Sequence, residues 1–325
     1  MNHELDLDEL QRLLWGFAGQ RVITVAGRTG ILHALADHPS SPDEVATELD
    51  LEPMATGKVI RALTAQGLVE ADGDAYRLAE PLRRFFGGDA GDYGPYLDHL
   101  HGMYESWGEN LEPWLRGESW NTTPKTPEAT AQFGAAMQAV SARIARQVAE
   151  TLDLEGVDTM LDVGGGWGQY SKAFRTVRPE IMATVLDVPR VSDAAPESIV
   201  GTEHEGRISW LGGSYLEADY GSDYDLVLLS NILHQELAPQ AAEIIRRSAG
   251  ALSPEGRVVI VDFAIDNSKR EHPLGTLFAI NMRSFGDTYS EPELRGWMEA
   301  AGLVDIERID LGPDRWVIMG RAPGS

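Results

Sequence analysis

Apolar residues fall at helical spacing in the first half of the chain and in short, mostly apolar stretches in the second. The runs at 159–163, 182–186, 208–211, 224–229, 257–263, 304–309 and 315–320 have strand length. Strand candidates alternating with helix-length segments predict a doubly wound, largely parallel α/β sheet of seven strands over 158–321. One intervening helix, at 239–252, turns Ile244, Ile245, Ala249 and Leu252 to a common face. Upstream, residues 10–36 carry apolar positions at helical spacing. Ser41-Pro42-Asp43-Glu44 reads as a helix start, with Ser41 as N-cap, Pro42 in the first turn and acids behind it. A further helix is predicted over 54–66. A hairpin should follow, with 67–70 and 75–78 flanking the Gly/Asp turn at 71–74. Helix, helix, hairpin is the winged-helix order. Residues 91–157 read as mostly helical and aromatic-rich. The chain therefore divides into 1–90, 91–157 and 158–325.

Composition narrows the functional classes. The formal net charge is −24, and the basic residues include only four lysines. Over residues 1–100, 17 acids face 8 lysines and arginines. A DNA-binding role for the winged helix is therefore disfavoured, as is an anionic membrane partner, because both are polyanions. No cysteine is present, which excludes disulfides, thiolate metal sites and cysteine nucleophiles. His99 and His101 are two apart and do not share a helical face, so no metal site is predicted. No apolar run reaches the ~18 residues needed to span a bilayer, and the first residues lack a signal-peptide pattern. A cytoplasmic setting is the simplest expectation.

The most informative stretch is Asp162-Val163-Gly164-Gly165-Gly166-Trp167-Gly168, which follows the first strand of the sheet. Its glycines allow a tight turn and close approach to a ligand. The next strand ends in Asp187, where a carboxylate commonly holds the two hydroxyls of a ribose. The pair points to a nucleoside-containing cofactor. A dinucleotide fingerprint would need a third glycine at 169, and that residue is Gln169.

The spacing of Gly164, Gly166 and Gly168 behind Asp162 resembles motif I of the class I S-adenosylmethionine-dependent methyltransferases. A second stretch, Ser230-Asn231-Ile232-Leu233-His234, leaves the fourth strand at the ligand edge of the sheet. It resembles the small-molecule O-methyltransferases of the plant caffeate and flavonoid type, in which a histidine at this place is the general base. Those enzymes carry an N-terminal winged helix that serves dimerisation. The resemblance implies S-adenosyl-L-methionine as cofactor, a homodimer, and methylation of a hydroxyl on a small aromatic or polyketide-like molecule of secondary metabolism. It implies His234 as base, Asp262 as its orienting carboxylate and Asp287 as a further catalytic acid, with Thr288 one residue away in an uncertain register. Gln235 stands where the family often has aspartate, which weakens a metal-binding reading of that pair.

Several cofactor contacts are implied in the same way. Gly213-Ser214-Tyr215 resembles the stretch that contacts the adenosine, with Ser214 in place of the usual acid. Ser230 lies at the ligand edge. Phe133, Met137 and Ser141 match a helix that reaches cofactor and substrate, and their spacing of four puts them on one face. Asn281 and Met282 are expected on a helix lining the pocket, and Trp167 and Tyr170 beside the glycine turn. Two other readings stay open: carbon methylation through an enolate made by the same base, and a methyltransferase-like protein that binds the cofactor without transferring methyl.

Overall fold

The computed structural model describes residues 6–87, 92–121 and 126–324. The described chain falls into two units that divide between Val140 and Ser141.

In the first unit, α1 (Leu7–Arg28) starts where Asp6 Oδ1 accepts the Glu9 N–H at 2.7 Å. The single periodic stretch over 10–36 resolves into two helices, because the chain turns at Thr29-Gly30 before α2 (Ile31–Asp37). Next, α3 (Pro42–Glu48) opens on the expected Ser41 cap, a full capping box with Glu44. Loss of such a cap costs about 1 kcal/mol. Then come α4 (Pro53–Ala65) and the antiparallel hairpin of β1 (Val69–Asp72) and β2 (Ala75–Leu78). Leu32, Leu35, Ile60, Leu63, Val69 and Leu78 form the core they share. The short α5 (Glu80–Arg83) and the long α6 (Gly94–Leu115) follow. The next helix, α7 (Pro127–Thr151), carries the division between the two units.

In the second unit, all seven predicted strands pair in one sheet. They are β3 (Thr159–Val163), β4 (Met182–Asp187), β5 (Ile208–Gly212), β6 (Tyr224–Ser230), β7 (Leu252–Phe263), β8 (Val304–Gly312) and β9 (Arg315–Arg321). The order is β5-β4-β3-β6-β7-β9-β8, parallel except for β9, which runs antiparallel to both its neighbours. The intervening helices are α8 (Gln169–Val177), α9 (Pro189–Ser192), α10 (Ala238–Gly250), α11 (Pro273–Met282) and α12 (Glu291–Ala300). The β7 strand starts five residues earlier than its apolar run, at Leu252 rather than 257, and correspondingly α10 stops at Gly250. Each face of the sheet has its own apolar core: Leu161, Val227, Leu229 and Ile260 on one, Met160, Leu226, Leu228 and Val259 on the other. All eight are fully buried, each contributing about 1.5–3 kcal/mol. That burial holds the carboxyl ends of β3, β4, β6 and β7 in fixed register, and both functional clusters hang from those ends. Among the described residues no helix is long and apolar enough to cross a membrane.

Candidate active site

The first cluster is the turn between β3 and α8. Gly164, Gly166 and Gly168 all have positive φ (67°, 58° and 71°), and a Cβ on Gly164 would collide with Ile232. Gly164 N–H donates to the Leu186 carbonyl at 2.7 Å, which ties the turn to β4. Beneath it lies Asp162, fully buried. Ser171 Oγ donates to Asp162 Oδ2 at 2.8 Å, whereas Oδ1 is buried with no partner. Burial pushes this carboxyl up to about 6, with Asp187 adding to the effect and the Ser171 bonds opposing it.

Asp187, the last residue of β4, faces the same turn. Its Oδ2 accepts the Gly166 N–H at 2.9 Å and its Oδ1 the Val188 N–H at 2.8 Å. Burial raises it above the usual carboxylate range although both N–H groups and Arg190 pull the other way. Trp210, which sequence reasoning did not single out, donates Nε1–H to the Gly166 carbonyl at 2.9 Å. The signal available was an aromatic residue on β5, in register with Val185. The nearby Ser214 Oγ accepts the Leu216 N–H at 3.3 Å. Tyr215 donates its hydroxyl to Glu236 at 2.6 Å, and burial together with that carboxylate raises its pKa.

The second cluster surrounds His234, on a single 3-10 turn (Leu233–Gln235) directly after β6. His234 and Asp262 are 5% and 6% exposed, with His234 Nδ1 2.6 Å from Asp262 Oδ1. Burial alone would raise Asp262, but the His234 ring, the Phe263 N–H and the Arg315 guanidinium outweigh it and hold the carboxyl below its ordinary value. An ionised Asp262 makes Nδ1 the donor, so Nε2 carries the lone pair. The Phe263 and Phe278 rings stack on each other at 3.8 Å, and both stand edge-on or tilted to the imidazole, at 5.7 and 4.8 Å. From below, Gly286 meets the turn so closely that a Cβ would overlap the His234 carbonyl. Tyr289 donates its hydroxyl to the Glu236 carbonyl at 2.5 Å. The turn that carries the imidazole is thus held at its C-terminal end.

The remaining expected residues lie as follows. Asp287 bonds to Lys269 at 3.1 Å and to the Thr288 N–H, with 45% of its side chain exposed. Thr288 is buried and donates its hydroxyl to the Gly275 carbonyl. Among the described residues neither is hydrogen-bonded to His234. Ser230 Oγ accepts from Asn231 Nδ2 at 2.9 Å. Met137 and Ser141 are half-buried on α7, one in each unit. Phe133 is 51% exposed and edge-on to His99. Asn281 and Met282 end α11, half-buried.

A seven-stranded sheet in this order, with a glycine turn after its β3 strand, is the class I methyltransferase architecture. The O-methyltransferase domain family matches residues 107–303. The chain belongs to this family of S-adenosylmethionine-dependent O-methyltransferases. It is 27% identical to the tetracenomycin polyketide synthesis 8-O-methyltransferase of Streptomyces glaucescens, over 97% of this chain and 96% of that protein. It is also 27% identical to the N,N-dimethyltransferase OxyT of Streptomyces rimosus, with the same coverage. Human N-acetylserotonin methyltransferase, solved in complex with S-adenosylmethionine, superposes with a TM-score of 0.85 at 21% identity, covering 99% of this chain and all of that one.

Proposed function

We propose that this enzyme methylates a phenolic hydroxyl on a small polyketide-like aromatic molecule, with His234 as general base and Asp262 orienting it. The observation that carries the reading is the buried 2.6 Å contact between His234 and Asp262, set against the Phe263–Phe278 stack. A phenol is a poor nucleophile while protonated, and a positioned base is worth ~10²–10⁴-fold. His234 Nε2 takes the proton, and Asp262 compensates the imidazolium that forms. The half-buried Phe278 ring, backed by Phe263, offers a flat acceptor an apolar surface. Asp287, bonded to Lys269, is the weaker catalytic candidate.

The cofactor supplies a methyl group already activated on a sulfonium, so alignment is the larger part of the task. Asp162 fits it: a buried carboxylate oxygen without a partner suits the ammonium of the methionyl part. Gly164, Gly166 and Gly168 would let the backbone approach, and Asp187 would hold the ribose. Ser214, Tyr215, Ser230, Met137 and Ser141 are the remaining proposed contacts. Tyr215 would act with its ring, since its hydroxyl is engaged by Glu236.

Mass spectrometry of a panel of phenols, amines and enolisable ketones with labelled cofactor tests the reading. O-methylated phenols alone support it. An amine acceptor is the second reading, favoured by the likeness to a protein named as an N,N-dimethyltransferase. C-methylated products, or none, would favour the remaining alternatives.

Binding should depend on pH. Asp162 is held at about 6 in the free protein, whereas an ammonium partner would favour its ionised form. Binding below that pH therefore releases a proton, and affinity for S-adenosylhomocysteine should fall by up to about tenfold per pH unit. Asp187 contributes in the same direction. Calorimetry across about pH 5 to 8 should show it. Asp162→Asn should bind more weakly than wild type above about pH 6 and lose most of the slope. An unchanged slope in the variant removes Asp162 from the site.

For assembly, we propose a homodimer formed through residues 1–90, with 91–157 as a substrate-covering region. Leu13, Leu14 and Trp15 on α1 are 67%, 63% and 70% exposed, a run of large apolar side chains that a second copy would cover. Light scattering should give twice the chain mass, and Trp15→Arg should give a monomer. A monomeric wild-type chain rejects the proposal.

A further inference from the structure

His234 and Asp262 do not stand alone at the carboxyl edge of the sheet. Arg315, the first residue of β9, lies opposite Phe263 in register and places its guanidinium 3.7 Å from the centre of that ring. One face of Phe263 therefore meets a cation while the ring also stacks on Phe278, and both rings flank the imidazole. Arg315 Nη1 also donates to Asn231 Oδ1. Asn231 is the residue at which β6 gives way to the turn carrying His234. It has a left-handed backbone (φ 53°), donates its N–H to the Val261 carbonyl and accepts Gln235 Nε2 on its own carbonyl. A non-glycine residue in that region needs support from its surroundings. One guanidinium thus touches both structures that flank the imidazole, the aromatic stack and the start of the turn.

Arg295, Arg308 and Arg321 all pair with carboxylates. Among the described residues Arg315 has no carboxylate in ion-pair contact, in a chain of net charge −24. Its neighbours are an aromatic face and an amide oxygen, both of which suit a flat delocalised cation better than an ammonium.

We propose that Arg315 is a positioning residue for methyl transfer: it holds the Asn231 turn and the Phe263 ring so that His234 meets the acceptor in a fixed orientation. It acts through those two groups and through its charge beside Asp262, and not on the cofactor. The inference rests on His234 being the base. The charged groups about that histidine are Asp262 on β7, Arg315 on β9, Glu236 on its own turn, and the Lys269–Asp287 pair next to Gly286. Removing the cation favours the protonated forms of its neighbours, so the rise of kcat/KM with pH should move to higher pH. A residue that only filled space would leave it in place.

The test uses the full-length enzyme, a phenolic acceptor identified from the panel, and S-adenosylhomocysteine as the binding probe. Arg315→Met should lower kcat by ~10–100-fold, as expected for a misplaced reacting group. It should leave acceptor KM and S-adenosylhomocysteine affinity within about threefold of wild type. Arg315→Lys should return the pH rise toward its wild-type position, because the charge is restored, while regaining only part of kcat, because the planar contact and the fork are not. A kcat within about twofold of wild type for Arg315→Met overturns the proposal. So does a change confined to acceptor KM, which would make Arg315 a direct acceptor contact, or a joint loss of kcat and S-adenosylhomocysteine binding. Should the methionine variant not fold, the lysine variant decides. A fall in kcat of about fivefold or more at unchanged S-adenosylhomocysteine affinity supports the proposal, and a smaller one overturns it. His234→Ala is measured alongside. If it keeps turnover, the base reading fails and this inference with it. If it loses turnover while Arg315→Met does not, only this inference fails.

Discussion

His234→Ala should lower turnover with a phenolic acceptor by ~10²-fold or more and leave cofactor affinity nearly unchanged. The split follows from where the groups hang. His234 lies on the turn after β6 with its ring on Asp262, Phe263 and Phe278. The glycine turn after β3 and Asp187 at the end of β4 make their own hydrogen bonds without it. The rise of activity with pH that needs an unprotonated imidazole should vanish with the ring. Turnover near that of wild type would mean that alignment alone suffices and that His234 is structural. A parallel fall in turnover and in S-adenosylhomocysteine affinity would assign the histidine to the cofactor site instead.

Asp187→Ala should show the opposite split. Hydrogen bonds to a charged group are worth roughly 1.5–3 kcal/mol, so S-adenosylhomocysteine should bind about 10–150-fold more weakly. The Gly166 and Val188 N–H groups, which now donate to this carboxylate, lose their acceptor as well, and part of the loss will come from a looser glycine turn. At saturating cofactor, turnover should recover, because nothing at His234 has changed. Calorimetry measures the first effect and initial rates at high cofactor the second. An affinity close to wild type would remove Asp187 from the ribose contact. A turnover that stays low at saturation would show that the turn also orients the methyl donor.

The strands were legible because of where they lie. A parallel strand covered on both faces is apolar along most of its length, so β3, β4 and β6 appear in the sequence as largely apolar runs despite Asp162, Thr184 and Asp225, and the observed elements begin within a residue or so of those runs. The start of β7 was not legible. Leu252-Ser253-Pro254-Glu255-Gly256 pairs only loosely, with a register break between Tyr224 and Leu226, and its residues are partly exposed. The split between α1 and α2 was hidden for a related reason: apolar spacing continues across Thr29-Gly30, and the turn there leaves the periodicity intact.

At the site, local motifs carried the information that local motifs can carry. The glycine spacing, the carboxylate ending the next strand and the histidine after β6 are each set by a few consecutive residues, and each names a kind of chemistry through its position on a strand end. The partnerships depend on the sheet order instead. Asp262 reaches His234 because β7 is the neighbour of β6. Arg315 reaches Phe263 because β9 inserts antiparallel beside β7. Trp210 reaches Gly166 because β5 lies next to β4. None of these pairs has a signature in the chain, since the residues are separated by tens of positions and their meeting costs loop-closure entropy that only the assembled core offsets. The same holds for the unpartnered Asp162 oxygen and the hydroxyl of Tyr215. Residue type and spacing established which groups could do chemistry; burial and strand adjacency settled which of them are ionised, which are engaged elsewhere, and which face one another.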